Sequence, residues 1–414
     1  MSLRTLRLRA NGRRNLAALT STMLLGAAAL AGCSASADDN PIDSVLGDDE
    51  PSSSATPEEK KVSEARLSVN LPRKGDVPVD TLVEVAAENG TLKNVQLTAG
   101  KQKVPGAVSK SGARWTAAER LEPGVSYRLT GVAADEDGLK RSIDRTFRTV
   151  PLSLDQQTYP SIAPLDGETV GVGMPVIVAF DVAVTDRAEV ERHLEVESKP
   201  AQPGSWHWIS DNEVHWRPKT YWKPGTDVTV DADINGVDAG NGIYGQMDRT
   251  SGFTVGDSVI MKIDVANHNM QVLQNGNLLR TLPISAGKPG FTTRSGIKVI
   301  IEKHRYKDMD AATTGISEGD AEYYNISNVE YAQRVTYSGE FLHAAPWSVG
   351  SQGSENVSHG CVGMSTEDAG WLYSITKRGD VVDVVGSDRP MEATNGYGDW
   401  NVSWADYRAG SALD

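Results

Sequence analysis

Trp115 is followed eight residues later by Pro123-Gly124, and Trp216 is followed eight residues later by Pro224-Gly225. Each Pro-Gly pair leads into an alternating run, YRLTGVA from Tyr127 in the first case and VTVDADI from Val228 in the second. Each unit then closes on a phenylalanine, Phe147 or Phe253. Alternation with period two sends successive side chains to opposite faces of a sheet, and Pro-Gly supplies the restrained and the permissive φ of a tight turn. A helix cannot carry that pattern. The chain is therefore confined to short strands joined by turns, and a composition with 40 Gly and only five Phe against nine Trp and twelve Tyr agrees.

The offset between the two copies is about 100 residues, the size of one immunoglobulin-like sandwich. We assign one such domain to residues 63–150 and a second to 151–255. A third unit, 256–386, opens with MKIDV and then QVLQ-NG-NLLR, where Asn275-Gly276 between alternating runs is a hairpin signal. Further strands are expected at Ile297–Glu302, Arg334–Ser338, Phe341–Ala345 and Val381–Val385. One helix is expected over Ser365–Lys377. Ser365 or Thr366 can cap it, Glu367 and Asp368 fall in its first turn, and Gly379 follows its end. The tail, 387–414, carries Trp400 and Trp404 one helical turn apart and is expected to pack back on the third unit. The fold class is mainly β: two immunoglobulin-like sandwiches, a β-rich third domain with a short helix, and a tail.

The N-terminus reads as a targeting signal. Arg4, Arg7, Arg9, Arg13 and Arg14 precede the apolar run LAALTSTMLLGAAALAG, which ends directly at Cys33. Leu30-Ala31-Gly32-Cys33 resembles a bacterial lipobox, which implies cleavage of residues 1–32 and a lipid on Cys33; the alternative is an uncut membrane anchor. Residues 33–62 are acidic and rich in Ser and Pro, with little to bury, and read as a disordered tether. The expected location is the outer face of the cytoplasmic membrane. A net charge of −14 argues against nucleic acid as a partner, because binding phosphate needs basic patches.

With Cys33 committed to lipid, the second of the two cysteines, Cys361, has no partner in the chain. It stands in SHGC, Ser358 to Cys361. A cysteine nucleophile needs a base, and donors for the developing oxyanion. Gly360 lets the backbone turn tightly, so that the amides of Gly360 and Cys361 can face a substrate oxygen. A helix N-terminus following Val362 would favour the thiolate. The base is His359 or, 18 residues before the cysteine, His343 in FLHAAPWSVG. A metal site is not expected, since the chain has no CxxC or HExxH, and no cofactor is expected.

His343-Ala344-Ala345-Pro346-Trp347-Ser348 followed by Ser358-His359-Gly360-Cys361 resembles the active-site signature of the L,D-transpeptidases of the YkuD fold, and is most like that of actinobacterial members. The likeness continues through Lys377-Arg378-Gly379-Asp380 and the GDW of the tail. The resemblance implies that Cys361 is the nucleophile and His343 the general base. It implies that the Ala344 carbonyl orients the imidazole, and that His359 and Gly360 belong to the oxyanion-hole segment. Tyr324, Trp347 and Ser358 become substrate-binding candidates. It implies peptidoglycan stem peptides as substrates and carbapenem β-lactams as covalent inhibitors. Relatives usually carry Asn where this chain has Gly363. The alternatives are a sortase-like or L,D-carboxypeptidase cysteine enzyme, or a wall-binding lipoprotein without activity.

Overall fold

A computed structural model describes residues 61–413. The signal segment, Cys33 and nearly all of the tether lie outside the described residues.

The first sandwich packs the sheet Arg66–Val69, Glu84–Glu88, Arg114–Ala117, Gly106–Val108 against the sheet Gln102–Val104, Thr91–Ala99, Ser126–Ala134, Lys140–Arg148. The second packs Pro160–Ala163, Val176–Phe180, Glu213–Pro218, Gly204–Ser210 against Thr169–Val170, Arg249–Val255, Asp227–Ala232, Leu194–Lys199. Trp115 and Trp216 are both buried, and Gly124 and Gly225 both take positive φ in their Pro-Gly turns. The repeat goes further than the sequence pattern showed. A Cβ on Gly106 would stand 2.2 Å from the Trp115 ring, and one on Gly204 would stand 2.1 Å from the Trp216 ring. Each indole is thus laid across a neighbouring strand that only glycine leaves open.

In the third unit one sheet runs Asn277–Pro283, Asn269–Gln274, Val259–Asp264, Val381–Val385, Gly296–Val299. The other runs Glu302–Asp310, Asn325–Arg334, Phe341–Ala344, Val362–Met364. Met261, Ile263, Met270 and Val272 of the first meet Leu342, Val362 and Met364 of the second in one core, which Leu372 of the helix Thr366–Ile375 completes. Asn275 and Gly276 both have positive φ (49° and 83°), as a tight two-residue hairpin requires.

Three expected elements are corrected. The run Ile297–Glu302 is not one strand: it ends at Val299, and Glu302 opens a strand of the other sheet, because Val299, Ile300 and Ile301 are all buried where the chain crosses the core. The strand expected at Arg334–Ser338 instead ends at Arg334, and Thr336–Gly339 forms the turn into Phe341. Cys361 is followed by a strand rather than directly by the helix, which begins at Thr366.

The tail does more than pack on the third unit. Asn401 brackets Ile297, its Oδ1 accepting the Ile297 N–H and its amide donating to the Ile297 carbonyl. Beyond it Trp400 donates to the Gly173 carbonyl of the second sandwich, and Tyr407 stacks on His207. Val299, Ile301, Val381 and Tyr397 share a core with Trp216 and Trp222, so the second sandwich and the third unit are welded along a common apolar seam.

Candidate active site

Two parallel strands position the cysteine and histidine of the signature. Phe341–Ala344 and Val362–Met364 pair with Leu342 opposite Val362 and His343 opposite Gly363. Cys361 immediately precedes the second strand, so thiol and imidazole rise from adjacent chains. Both line a cavity of about 190 Å³ together with Tyr324, Trp347, Ser358 and His359. Cys361 also borders a second, more polar cavity of about 190 Å³, with Tyr324 and Met309 shared between the two. A β-bulge between Lys307 and Met309 lies at this border, where bulges commonly re-aim a side chain.

His343 is buried, and its Nδ1–H donates to the Ala344 carbonyl at 2.8 Å. That bond leaves Nε2 with a free lone pair. Burial pushes the imidazole pKa below its ordinary 6.5 and outweighs the Ala344 bond, so the ring is neutral at physiological pH. Trp347, 54% exposed, stacks on it at 5.9 Å between centroids. Cys361 is a free, buried thiol whose Sγ reaches the Gly339 carbonyl at 3.5 Å. Burial pushes it up to about 12, so the resting pair is thiol and neutral imidazole.

SHGC is a self-bonded turn. Gly360 has φ +121°, a conformation side chains rarely adopt. Ser358 Oγ donates to the Cys361 carbonyl at 2.6 Å and accepts the Gly360 N–H at 3.1 Å, so the Gly360 amide is engaged within the segment. His359 lines the same cavity as His343 but takes its partners from other loops. Its Nε2 meets Glu322 Oε2 at 2.7 Å, and its ring lies between Phe291 (4.7 Å) and Tyr324 (5.0 Å). Lys288 pairs with the same carboxylate, which these two partners hold below its ordinary range. Glu322 and Lys288 carried no signal in the sequence, because only folding brings their loops to residue 359. The helix field also weakens: the strand Val362–Met364, about 10 Å of extended chain, lies between Cys361 and the helix that begins at Thr366, and the dipole acts only near the first turn.

A model of the L,D-transpeptidase catalytic domain matches residues 258–384, and one of a bacterial Ig domain matches residues 74–238. The chain is similar to L,D-transpeptidase 2 of Mycobacterium tuberculosis, 37% identical over 81% of this chain and 82% of that protein. It is also similar to L,D-transpeptidase 5 of the same species, 34% identical over 80% and 73%. The chain belongs to the L,D-transpeptidase family.

A solved L,D-transpeptidase in complex with imipenem matches 54% of this chain and 97% of its own at 39% identity, with a TM-score of 0.48. In this L,D-transpeptidase the Lys377-Arg378-Gly379-Asp380 stretch is structural. Arg378 makes a two-pronged ion pair with Glu168 (2.8 and 2.7 Å), and the Arg378 and Gly379 carbonyls accept the Gly171 and Gly173 amides of the second sandwich. Trp400 and Trp404 lie against Arg217, at 4.6 and 5.3 Å from ring centroid to guanidinium, as packing residues of the same seam.

Proposed function

We propose that this L,D-transpeptidase cross-links peptidoglycan with Cys361 as nucleophile and His343 as the single proton carrier. The supporting observation is the arrangement of the two side chains: adjacent parallel strands, one shared cavity, and an imidazole whose Nδ1 is tied to Ala344 so that Nε2 is left to accept. Cys361 attacks the carbonyl of the third stem residue, meso-diaminopimelate, at its bond to D-Ala. Its proton passes to His343 Nε2 and then to the departing amine of D-Ala. A thioester remains. The side-chain amine of a neighbouring stem attacks it, His343 takes the amine proton, and the sulfur leaves and is reprotonated. The product is a 3–3 cross-link. Both half-reactions need a neutral imidazole at the start, which burial of His343 favours. A carbapenem carbonyl entering the same cavity would be opened by the same thiol and held as a thioester. The basic, apolar and Cys33-terminated leader supports lipid anchoring at the outer face of the cytoplasmic membrane.

The test is the full chain with a disaccharide-tetrapeptide, read by mass spectrometry. A dimer lacking one D-Ala is expected. Tripeptide alone would favour a carboxypeptidase, cleavage of an LPxTG peptide a sortase-like enzyme, and no turnover a binding lipoprotein. Cys361→Ala is expected to abolish the imipenem adduct; an adduct persisting on another residue would overturn the assignment.

A further inference from the structure

Behind the Gly360–Cys361 peptide lies a buried charge network that the acyl-transfer steps do not use. Lys298 Nζ pairs with Glu340 Oε2 at 2.5 Å. Arg294 reaches Glu340 Oε1 through Nη1 at 3.0 Å and through its backbone N–H at 3.1 Å. Its Nε then pairs with Glu392 Oε2 at 2.6 Å. Lys298, Glu340 and Arg294 are 1%, 4% and 8% exposed, whereas the Glu392 side chain is 53% exposed. Inside, two cations thus share one carboxylate. Removing three charges from water is costly, and apolar residues of similar volume often serve stability as well or better. Stability alone does not account for the network.

Its position does. Glu340 follows Gly339, whose carbonyl receives the Cys361 thiol, and precedes Phe341, which opens the strand of His343. On the other side, a Cβ on Gly360 would stand 3.6 Å from Glu340 Cγ and 3.7 Å from its Oε1. Thr293, next to Arg294, donates its hydroxyl to the Gly360 carbonyl at 2.8 Å and accepts the Gly287 N–H at 2.9 Å. The network therefore grips the chain on both sides of the sulfur.

We propose that Lys298, Glu340 and Arg294 are positioning residues for the nucleophile, holding Gly339 and Gly360 about Cys361 and setting, by their balance of charge, how readily the thiol ionises. Glu340 and Lys298 act on the sulfur in opposite senses, the carboxylate against the thiolate and the ammonium for it, with Arg334 reinforcing the ammonium. The other groups around the sulfur are His343, His359 and Tyr324 on one cavity, and Lys307, Asp308, Asp310 and Tyr337 on the other. Variants of the network leave all of these in place.

The inference rests on Cys361 as nucleophile, but its test reads the thiol and not turnover. The full chain is treated with iodoacetamide at pH 8, and alkylation of the Cys361 peptide is followed by mass spectrometry. Only thiolate reacts, so each unit by which ionisation shifts changes the rate about tenfold. Glu340→Gln is expected to react roughly tenfold faster and Lys298→Met roughly tenfold slower, from a neighbouring charge acting by about one unit. Glu340→Asp, which keeps the charge, is expected to stay near wild type. Equal rates, or both neutralising variants moving the same way, would overturn the proposal, as would Glu340→Asp moving as far as Glu340→Gln. Glu392→Gln sits at the rim, where folding is not at stake, and is expected to be modestly faster; if the buried variants do not fold, an unchanged rate here overturns the proposal. Acyl transfer retained by Cys361→Ala would instead defeat the nucleophile assignment, leaving the alkylation rates to judge the network separately.

Discussion

At the scale of single residues the site is governed by what glycine leaves out. Gly363 sits where relatives usually carry Asn, and its amide and carbonyl both bond Ser285, at 2.8 and 2.9 Å. A Cβ there would meet the Ala345 Cβ at 2.8 Å, closer than side chains pack. Asn here would force Ala345, seated against this strand, to shift. We expect Gly363→Asn to cost about 1–3 kcal/mol, the usual penalty for overpacking, and to slow imipenem acylation because His343 lies opposite in register. An unchanged melting temperature and rate would show that the Ala345 segment yields. Ala344→Ser is expected to leave acylation nearly intact, since only the backbone carbonyl of that residue meets the imidazole. A large loss in the acylation rate would mean that another group orients His343. The acid limb of acylation is expected below pH 6.5. Burial lowers the imidazole pKa from that value, so His343 stays a competent base until the pH falls below it; a midpoint above 6.5 in the pH–rate profile would contradict this.

At the scale of elements, the strands that carry His343 and precede or follow Cys361 are short and interior. Every residue of Phe341–Ala344 and of Val362–Met364 is buried. Such strands lose the alternation that marks half-exposed strands; the apolar run from Phe341 still predicts a strand, whereas CVGM reads in sequence only as motif. The helix Thr366–Ile375 was legible because its signals are local. Ser365 Oγ accepts the Asp368 amide at 3.1 Å, as a Ser N-cap should. Ser365→Ala is expected to lower stability by about 1 kcal/mol, seen as a lower thermal midpoint, with the rate of imipenem acylation per folded molecule unchanged. A fall in that rate would tie the helix to the site more closely than the intervening strand indicates.

At the scale of the whole molecule, the tail clamps the second sandwich to the catalytic unit. His215, buried, donates from Nδ1 to Asp399 at 2.9 Å and from Nε2 to Glu213 at 2.8 Å, and Tyr407 also donates to Asp399. Burial opposes the imidazolium, but Asp399 and Glu213 prevail and raise His215 to about 9. The folded state then binds this proton more tightly than the unfolded chain. Its stabilisation is full below the ordinary 6.5 and is lost as pH rises through about 9. Asp399 is held below its ordinary 3.8 despite burial, because of His215; its contribution is present above that value and lost as pH falls below it. We expect the melting temperature to fall between pH 6.5 and 9.5, and His215→Gln to flatten that fall. An equal slope in both proteins would remove His215 from the seam's energetics.

By itself the sequence determined the class of fold, the repeat of the sandwiches, the hairpin at Asn275-Gly276, the helix, and the pairing of His343 with Cys361 as a signature. Each of these is written in neighbouring residues: alternation, turn chemistry, a cap, a motif. The tertiary structure alone decided that Ile297–Glu302 divides between two sheets, that Glu322 engages His359, that Gly363 faces Ala345, and that Lys298, Arg294 and Glu340 converge behind the sulfur. It also decided that the KRGD stretch and the tail form a seam with the second sandwich. These depend on contacts between residues up to 227 positions apart. Burial and charge balance at Cys361 arise from such contacts, because they depend on which elements pack there and not on the residues beside it in the chain.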